Sequence, residues 1–335
     1  MIVNKIAIGL ILLGTWTVSE VTQANDGTLT LTVENDFFTH SDNNYSNGIG
    51  IDWVSDAVDA EQGGFVSKWT RFWSFLPFVA DDGYTTYASW SLAQEMNTPD
   101  DIRDPHPGMD DQPYSGILYV DSTLYARKGD WTHAWELKLG VVGPASQADD
   151  VQREFHKMIG ADKPQGWDTQ LPNEPIVNLS YTAAHLAAAG KVGGAAEWRV
   201  VPIATVGVGN YFTGGGLGVY GEVGWNLVSA LGVTALRSGI NAASAIGVGP
   251  VDRWSIAFFG GVGGYGVAHY LPLDGTVFRS SRSVNSKPAI GMGSYGFCMR
   301  RDRFTFSYAR TLFSETFDTE RQGTDFGTVS ASWSY

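Results

Sequence analysis

The sequence predicts an all-β fold, a transmembrane antiparallel β-barrel of about twelve strands with a short helix in an exterior loop. An export signal begins the chain, short segments alternate apolar with small or polar residues, and the chain ends on Tyr335 within such a segment. A soluble sheet buries its apolar face, whereas a membrane barrel turns that face to the lipid. Aromatic residues on the apolar faces favour the membrane. A soluble periplasmic β-protein is the alternative.

The composition excludes two other classes of protein. The 335 residues include 41 glycines, 13% aromatic residues and 17% charged residues, with a formal charge of −13. No run of Lys or Arg offers a footprint for phosphates, so we expect no nucleic acid as a partner. The mean hydropathy of −0.10 is too low for a bundle of membrane-spanning helices.

The first 24 residues have the order of a secretory signal peptide. Lys5 precedes the apolar run 6–16, which is too short to span a bilayer, and a more polar stretch ends at Ala24. We expect cleavage after Ala24, which leaves 25–335 as a multi-pass barrel in the cell outer membrane. A buried amino-terminal helix is the alternative, but Asn25-Asp26-Gly27 would end it abruptly.

Twelve segments alternate with period two and are the predicted strands. They lie near 28–35, 46–54, 85–96, 115–128, 131–143, 178–189, 196–208, 212–227, 252–268, 288–300, 303–311 and 327–335. An even number suits a bacterial single-chain barrel and leaves both termini on the periplasmic side. The Gly/Ala/Ser-rich stretch 228–251 could extend either neighbouring strand.

Strand parity then assigns each loop to one side of the membrane. If the first strand rises from the periplasm, the loops after odd-numbered strands are exterior. These are roughly 36–45, 97–114, 144–177, 209–211, 269–287 and 312–326. The one long periplasmic connection, 55–84, is rich in Phe and Trp, and we interpret it as an amphipathic helix on the inner-leaflet surface.

The largest exterior loop contains the predicted exterior helix. Ser146 is its candidate N-cap, an apolar stripe at helical spacing follows, and Gly160 closes it. His156 lies at the border of that stripe. A lone histidine on an exposed helix is usually just solvated, so His156 alone identifies no site.

The first exterior loop lies within VENDFFTHSDNNYSNGIGIDW (33–53), whose middle is almost entirely polar. Strand phase places Asp36 and Ser46 on the lumen side and Asn35 on the lipid side. Carboxylate, amide and main-chain oxygens are ligands that Ca²⁺ accepts, although EF-hand spacing is absent. Ordinary Asn/Asp turn chemistry is the alternative. With His156 on the same side of the membrane, these groups form a plausible set for ester hydrolysis.

Three motifs carry a resemblance to a known family. They are VENDFF…YSNGIGIDW, QPYSGILY (112–119) and FHKMIGADKPQGW (155–167). In this order they resemble the outer-membrane lipid A 3'-O-deacylases, over most of the mature chain. The resemblance implies a twelve-stranded barrel that hydrolyses the 3'-linked acyloxyacyl ester of lipid A in the outer leaflet, with Ca²⁺ as cofactor. The implied partners are lipid A or lipopolysaccharide, outer-membrane lipids and, during insertion, the barrel-assembly machinery.

The resemblance also implies roles for individual residues. The implied catalytic residues are His156, Asn35, Ser46 and Asp162, and the implied metal ligand is Asp36. Ser46 stands where the family usually has Thr. A family lysine falls on Asp104, beside Arg103, which could replace the cation.

Exterior cations are candidates for binding lipid A phosphates. They are Arg103, Lys157 and Lys163, with Arg153 on the same helix, and ordinary solvated loop charges are the alternative for each. An outer-membrane phospholipase with similar groups, or a non-catalytic barrel or pore, remains the alternative function.

Overall fold

The computed structural model describes residues 27–39, 45–59, 63–194, 196–228 and 250–335. The expected signal peptide and most of the stretch 228–251 lie outside the described residues. The strands are β1 Gly27–Asn35, β2 Tyr45–Ser55, β3 Thr85–Asn97, β4 Ser115–Lys128, β5 Trp131–Val142, β6 Glu174–His185, β7 Ala188–Val192, β8 Ala196–Gly209, β9 Phe212–Trp225, β10 Val251–Tyr270, β11 Ala289–Asp302, β12 Phe304–Phe313 and β13 Asp325–Ser334. The helices are α1 Phe65–Phe72, α2 Ala148–Ile159 and the single turn α3 Leu271–Asp274.

The strands close into one antiparallel barrel. Each strand pairs with its sequence neighbours, except that β6 and β7 pair with β8 and not with each other, and β1 pairs with β13. The short β7 continues β6 along β8, because β6 pairs with residues 203–209 and β7 with residues 196–200 of that strand. Counting β6 and β7 as one, the barrel has twelve strands, as predicted.

The strand that contains β6 and β7 differs most from the sequence prediction. It begins at Glu174 rather than near 178, and it is interrupted at Leu186 and Ala187. At the interruption the Leu186 amide donates to the main-chain oxygen of Asp130 (2.8 Å), and the Ala187 amide donates to the main-chain oxygen of Val200 (3.0 Å). The main chain thus remains hydrogen-bonded through the interruption, on one side of which β6 pairs with both β5 and β8 and on the other side β7 pairs with β8.

The two faces of the wall divide as predicted. On β1, Thr30 and Thr32 are buried inside the barrel, whereas Leu31 between them is 52% exposed on the outer face. Across the β1–β13 seam a ladder of inward hydroxyl pairs joins Thr28 to Ser334 (2.9 Å), Thr30 to Ser332 (2.9 Å) and Thr32 to Ser330 (3.1 Å). Polar side chains therefore fill the interior here, and apolar ones face outward.

A charged network also fills the interior. The Lys138 ammonium lies 3.0 Å from an Asp121 oxygen and 3.3 Å from the centre of the Tyr119 ring. The Tyr119 and Tyr211 hydroxyls donate to the two oxygens of Glu95, at 2.6 and 2.9 Å. These side chains are buried and narrow the lumen, as expected for a small barrel that its own side chains fill.

The two ends of the barrel differ. Gly27 and Tyr335 exchange main-chain hydrogen bonds at one end, which we call the terminal end. At the opposite end, the loop end, the connections are 36–44, 98–114, 143–173, 210–211, 271–288 and 314–324. This division matches the predicted parity. In the described ranges, no helix has the length and apolar character needed to span a bilayer.

Candidate functional site at the loop end

Helix α2 is seated on the loop ends of β3 and β4. Its first residue, Ala148, packs on Gly116, where an added Cβ would lie 2.3 Å from the Ala148 Cβ. The Gln94 side-chain amide donates to the main-chain oxygen of Ser146 at 2.6 Å. This hydrogen bond attaches the turn that precedes the helix to the barrel wall. The predicted N-cap is wrong: Ser146 lies in a preceding 3-10 turn and donates to the Gly143 oxygen (2.7 Å), while Gln147 occupies the cap position.

Buried aromatic residues hold α2 from beneath. The Trp167 indole donates to the Gln152 side-chain oxygen at 2.7 Å, and its ring centre lies 4.9 Å from that of Tyr114. Burial raises the pKa of Tyr114 to about 12, and its hydroxyl donates to the Ile102 oxygen. Sequence reasoning assigned no role to these residues, although Tyr114 and Trp167 lie within two of the motifs that carry the family resemblance.

His156 is half-buried near the end of α2, and its Nδ1 lies 2.6 Å from the main-chain oxygen of Asp162. Gly160, at φ +72°, ends the helix as predicted and turns the chain so that residue 162 comes back to the imidazole. Because a carbonyl oxygen only accepts, Nδ1 of a neutral imidazole carries the proton here, and Nε2 keeps its lone pair. This is the tautomer that a general base requires at Nε2.

Arg103 also lies beside this turn. One guanidinium nitrogen, Nη1, is 3.8 Å from the Asp162 carboxylate, and Nε donates to Asp101 at 3.0 Å. The guanidinium lowers the pKa of the Asp101 carboxyl through that hydrogen bond. The structure thus brings Arg103, Asp162 and His156 together, whereas Asp104 accepts a hydrogen bond from the His106 amide within its own turn.

The other candidate phosphate-binding cations occupy different surroundings. Lys157 is exposed, with its ammonium 4.0 Å from Glu154, and Lys163 is exposed in the segment after the helix. Arg153 pairs with Asp149 and Asp150, both at 2.8 Å.

Asn35 is only 5% exposed, although strand phase had turned it toward the lipid. It lies opposite Asn47 on one side and Gly327 on the other. Phe38, in the 3-10 turn Asp36–Thr39, packs on Gly327. A Cβ added to Gly327 would lie 2.6 Å from the Phe38 Cβ. The chain after β1 therefore folds back over this row of the wall, and the Asn35 amide is shielded from the bilayer.

Asp36 begins that 3-10 turn and is half-buried. The Thr39 hydroxyl donates to the Asp36 main-chain oxygen at 2.9 Å. The preceding Glu34 is buried and accepts a hydrogen bond from Thr328 at 3.1 Å. Throughout the described segments, no three His, Cys, Asp or Glu side chains are grouped so as to hold a metal ion. The oxygen groups near Asp36 nevertheless have the chemistry that Ca²⁺ accepts.

Ser46 lies at an irregularity in β2. Tyr45 is paired with Asn97 and Asn47 with Met96, so Ser46 is an extra residue in the ladder, a β-bulge. A bulge interrupts strict alternation, so strand phase does not determine the direction of Ser46. The Ser46 side chain lies outside the described residues.

The first loop and α2 share one arc of the barrel rim. Register places Asn35, Asn47, Met96 and Gly116 in one row across β1 to β4, and α2 begins on Gly116. Neighbouring strands are about 4.8 Å apart, so the main chain at Asn35 is about 14 Å from Gly116.

Comparison with known proteins agrees with this architecture. A family model described as outer membrane protein LpxR matches residues 6–335. The structure of LpxR from Salmonella typhimurium superposes with a TM-score of 0.72 at 18% identity, covering 92% of this chain and 100% of that chain. The β domain of the Bordetella autotransporter BrkA gives a TM-score of 0.44 at 9% identity over 93% of this chain and 100% of that chain. No curated protein matches significantly. On the family match over nearly its whole length, the chain belongs to the LpxR family of outer membrane proteins.

Proposed function

We propose that this protein is an outer-membrane lipid A deacylase that hydrolyses the 3'-linked acyloxyacyl ester of lipid A in the outer leaflet. Membership of the LpxR family supports the outer-membrane location and this class of activity. The observation that carries the assignment is the contact of His156 Nδ1 with the Asp162 main-chain oxygen at 2.6 Å. It leaves Nε2 as a proton acceptor at the end of the barrel that faces lipopolysaccharide.

In the proposed reaction, His156 Nε2 removes a proton from the attacking group, either a water molecule or the Ser46 hydroxyl. Asp162 fixes the imidazole through its main-chain oxygen, so that its orientation is set before the substrate binds. The Asn35 amide donates to the oxygen on which negative charge develops. Its buried position supports this role, because hydrogen bonds to charge are stronger away from water.

Asp36 would hold a Ca²⁺ ion together with amide, main-chain and water oxygens, and the ion would further stabilise the same developing charge.

The cations near α2 are the proposed phosphate-binding residues. Arg103, beside Asp162, and the exposed Lys157 and Lys163 are suited to the phosphates of lipid A, which an arginine can bind through two parallel hydrogen bonds.

Mass spectrometry of lipid A from cells that express the wild type and His156→Ala tests the proposal. His106→Ala is the matched control, because His106 is an exposed histidine in another loop at the same end. We expect loss of the 3'-linked chain with the wild type and the control, and intact lipid A with His156→Ala. Intact lipid A with fatty acids released from phospholipids would instead indicate a phospholipase. No hydrolysis, with ion conductance in planar bilayers, would indicate a pore.

A further inference from the structure

Helix α1 and the chain that follows it lie outside the barrel, against the outer face of β2 to β5 at the terminal end. The Trp69 indole donates to the Ser122 hydroxyl at 2.9 Å, and the Trp135 indole donates to the Pro77 oxygen at 3.1 Å. Ser122 is paired with Leu137, which shares a face with the outward Leu139. The helix is therefore attached to the surface that faces the bilayer.

The two sides of α1 differ in chemistry. Val66, Ser67 and Thr70 are buried, and Val66 packs in an apolar cluster with Ala88 and Leu124 of the wall. On the other side Phe65, Phe72 and Phe75 are 63%, 66% and 69% exposed. Three phenylalanine side chains so exposed on one short segment indicate an apolar environment rather than water.

The aromatic surface of α1 continues that of the wall. Trp53 and Trp90 stack on the outer face with ring centres 5.6 Å apart, and the Phe65 ring lies 5.3 Å from Trp90. Nearer the loop end the outward residues are aliphatic, as at Val120 and Leu139. Rings at the terminal end with aliphatic residues above them are the order of an interfacial aromatic girdle in a membrane barrel.

Cations accompany the phenylalanines. Lys68 follows Phe65 by three residues and precedes Phe72 by four, so these three residues share one face of the helix. Lys68 and Arg71 are both exposed. Apolar rings beside cations match a layer in which acyl chains meet lipid phosphates.

The wall that carries α1 is also the wall that carries α2. Helix α2 is seated on the loop ends of β3 and β4, and α1 packs on the outer faces of the same strands at Trp90 and Ser122. The same two strands therefore link α1 to α2, so that a shift of α1 along the membrane normal would move α2 and His156 with it.

We propose that α1 is a lipid-binding foot that inserts Phe65, Phe72 and Phe75 among the phospholipids of the periplasmic leaflet and sets the depth of the wall below α2. Phospholipid is the occupant, since the foot is continuous with the bilayer-facing surface and presents Lys68 and Arg71 to its phosphates. This role of α1 is independent of the activity proposed above.

Fluorescence quenching in vesicles tests the contact with lipid. The full-length chain with Cys298→Ser receives one cysteine, at Phe72 or at Phe65, for an environment-sensitive label, and is reconstituted in phosphatidylcholine with and without brominated acyl chains. Leu139→Cys on the outer face is the lipid-exposed reference, and Asp130→Cys in the β4–β5 turn at the terminal end is the water-exposed one. Heat-modifiable electrophoretic mobility shows that each variant is folded.

We expect the labels on α1 to emit at shorter wavelength than the label at 130 and to be quenched to about half the extent seen at 139 or more, as for an interfacial helix. Emission and quenching like those at 130 would overturn the proposal. Short-wavelength emission without quenching by brominated lipid would also overturn it, because protein would then cover the foot.

A second measurement tests the control of depth. The label at 139 is quenched in turn by lipids brominated at different depths, in the parent chain and in a variant with Phe65, Phe72 and Phe75 all changed to Ser. We expect the position of strongest quenching to shift in the triple variant. An unchanged profile would exclude α1 as a determinant of depth, whatever its contact with lipid.

Discussion

His156 Nδ1 lies 2.6 Å from the main-chain oxygen of Asp162, whereas the carboxylate of Asp162 faces Arg103. The imidazole is therefore held by the path of the chain and not by a charged side chain. Asp162→Ala should leave lipid A deacylation within about threefold of wild type, because an exposed ion pair contributes about 0–1 kcal/mol. Initial rates on purified lipopolysaccharide give the measurement. A loss as large as that of His156→Ala would show that the carboxylate itself acts.

Gly160 determines how the chain returns from His156 to residue 162. Its φ of +72° favours glycine, and an added Cβ would meet no atom within 4 Å, so Gly160→Ala adds backbone strain alone. We expect a cost of about 1 kcal/mol and a several-fold loss of deacylation, with the thermal stability of the barrel unchanged. Gly160→Asn is the matched variant, because Asn tolerates this conformation better and should retain more activity. Equal losses in the two variants would contradict this explanation.

The Trp167–Gln152 hydrogen bond fixes α2 from beneath. Trp167→Phe removes the donor and leaves the buried Gln152 oxygen without this partner, at a cost of about 1–3 kcal/mol. Because both residues belong to the connection 143–173 and not to a strand, limited proteolysis within 143–173 should accelerate about tenfold or more while heat-modifiable mobility is unchanged. Adding Gln152→Leu should restore part of the protection, because both partners are then apolar. No recovery in the double variant would assign the effect to lost aromatic packing.

Arg282 joins three loops at the loop end. Its guanidinium donates to the oxygens of Pro107 (3.1 Å) and Gly108 (2.6 Å) and to the Thr169 hydroxyl (3.4 Å). Arg282→Ala should therefore increase hydrogen exchange in both 98–114 and 143–173, the loops that carry Arg103 and α2. Arg279→Ala, an exposed arginine of the same loop, is the control and should leave exchange unchanged. Similar exchange in the two variants would mean that Arg282 does not couple the loops.

Lys138 compensates buried acidic groups inside the barrel. Its removal in Lys138→Met leaves Asp121 without its ion-pair partner, and losing one member of a buried pair costs about 3–5 kcal/mol. We expect the urea midpoint for loss of the folded electrophoretic form to fall markedly. The double variant Lys138→Met with Asp121→Leu should regain much of the loss, because it leaves no unpaired Asp121 charge. Equal midpoints in the two variants would show that ion pairing is not the determinant.

Period-two alternation was sufficient to place nearly every strand, because lipid outside and polar groups inside act on each residue independently. The predicted first strand, 28–35, and Gly27–Asn35 in the structure differ by one residue. The break at Leu186 was not predictable, since it depends on main-chain acceptors at Asp130 and Val200. Local sequence does not encode partners that come from neighbouring strands.

The end of the barrel at which the candidate residues lie was predicted, but the burial of Asn35 was not. Parity placed α2 and the first loop at the same end of the barrel, and the helix was predicted around His156. Strand phase assigned Asn35 to the lipid side and could not show that Phe38, which follows β1, packs over Gly327 of β13 and shields Asn35 there. A bulge likewise removes the basis for the phase of Ser46. Such features depend on contacts between residues far apart in the sequence.

The hydroxyl ladder between β1 and β13 has a consequence for biogenesis. Its partners, such as Thr28 and Ser334, are 306 positions apart, so closing the cylinder carries the largest loop entropy of any strand pairing in the molecule. Until β13 arrives, β1 remains an open edge, a template for pairing with other chains. A slip of β13 by one residue would turn its three serines toward acyl chains and leave the threonines of β1 without these partners, so the observed register is favoured. A change in β13 that prevents this pairing would therefore leave the edge of β1 open, even where every other strand pairs normally.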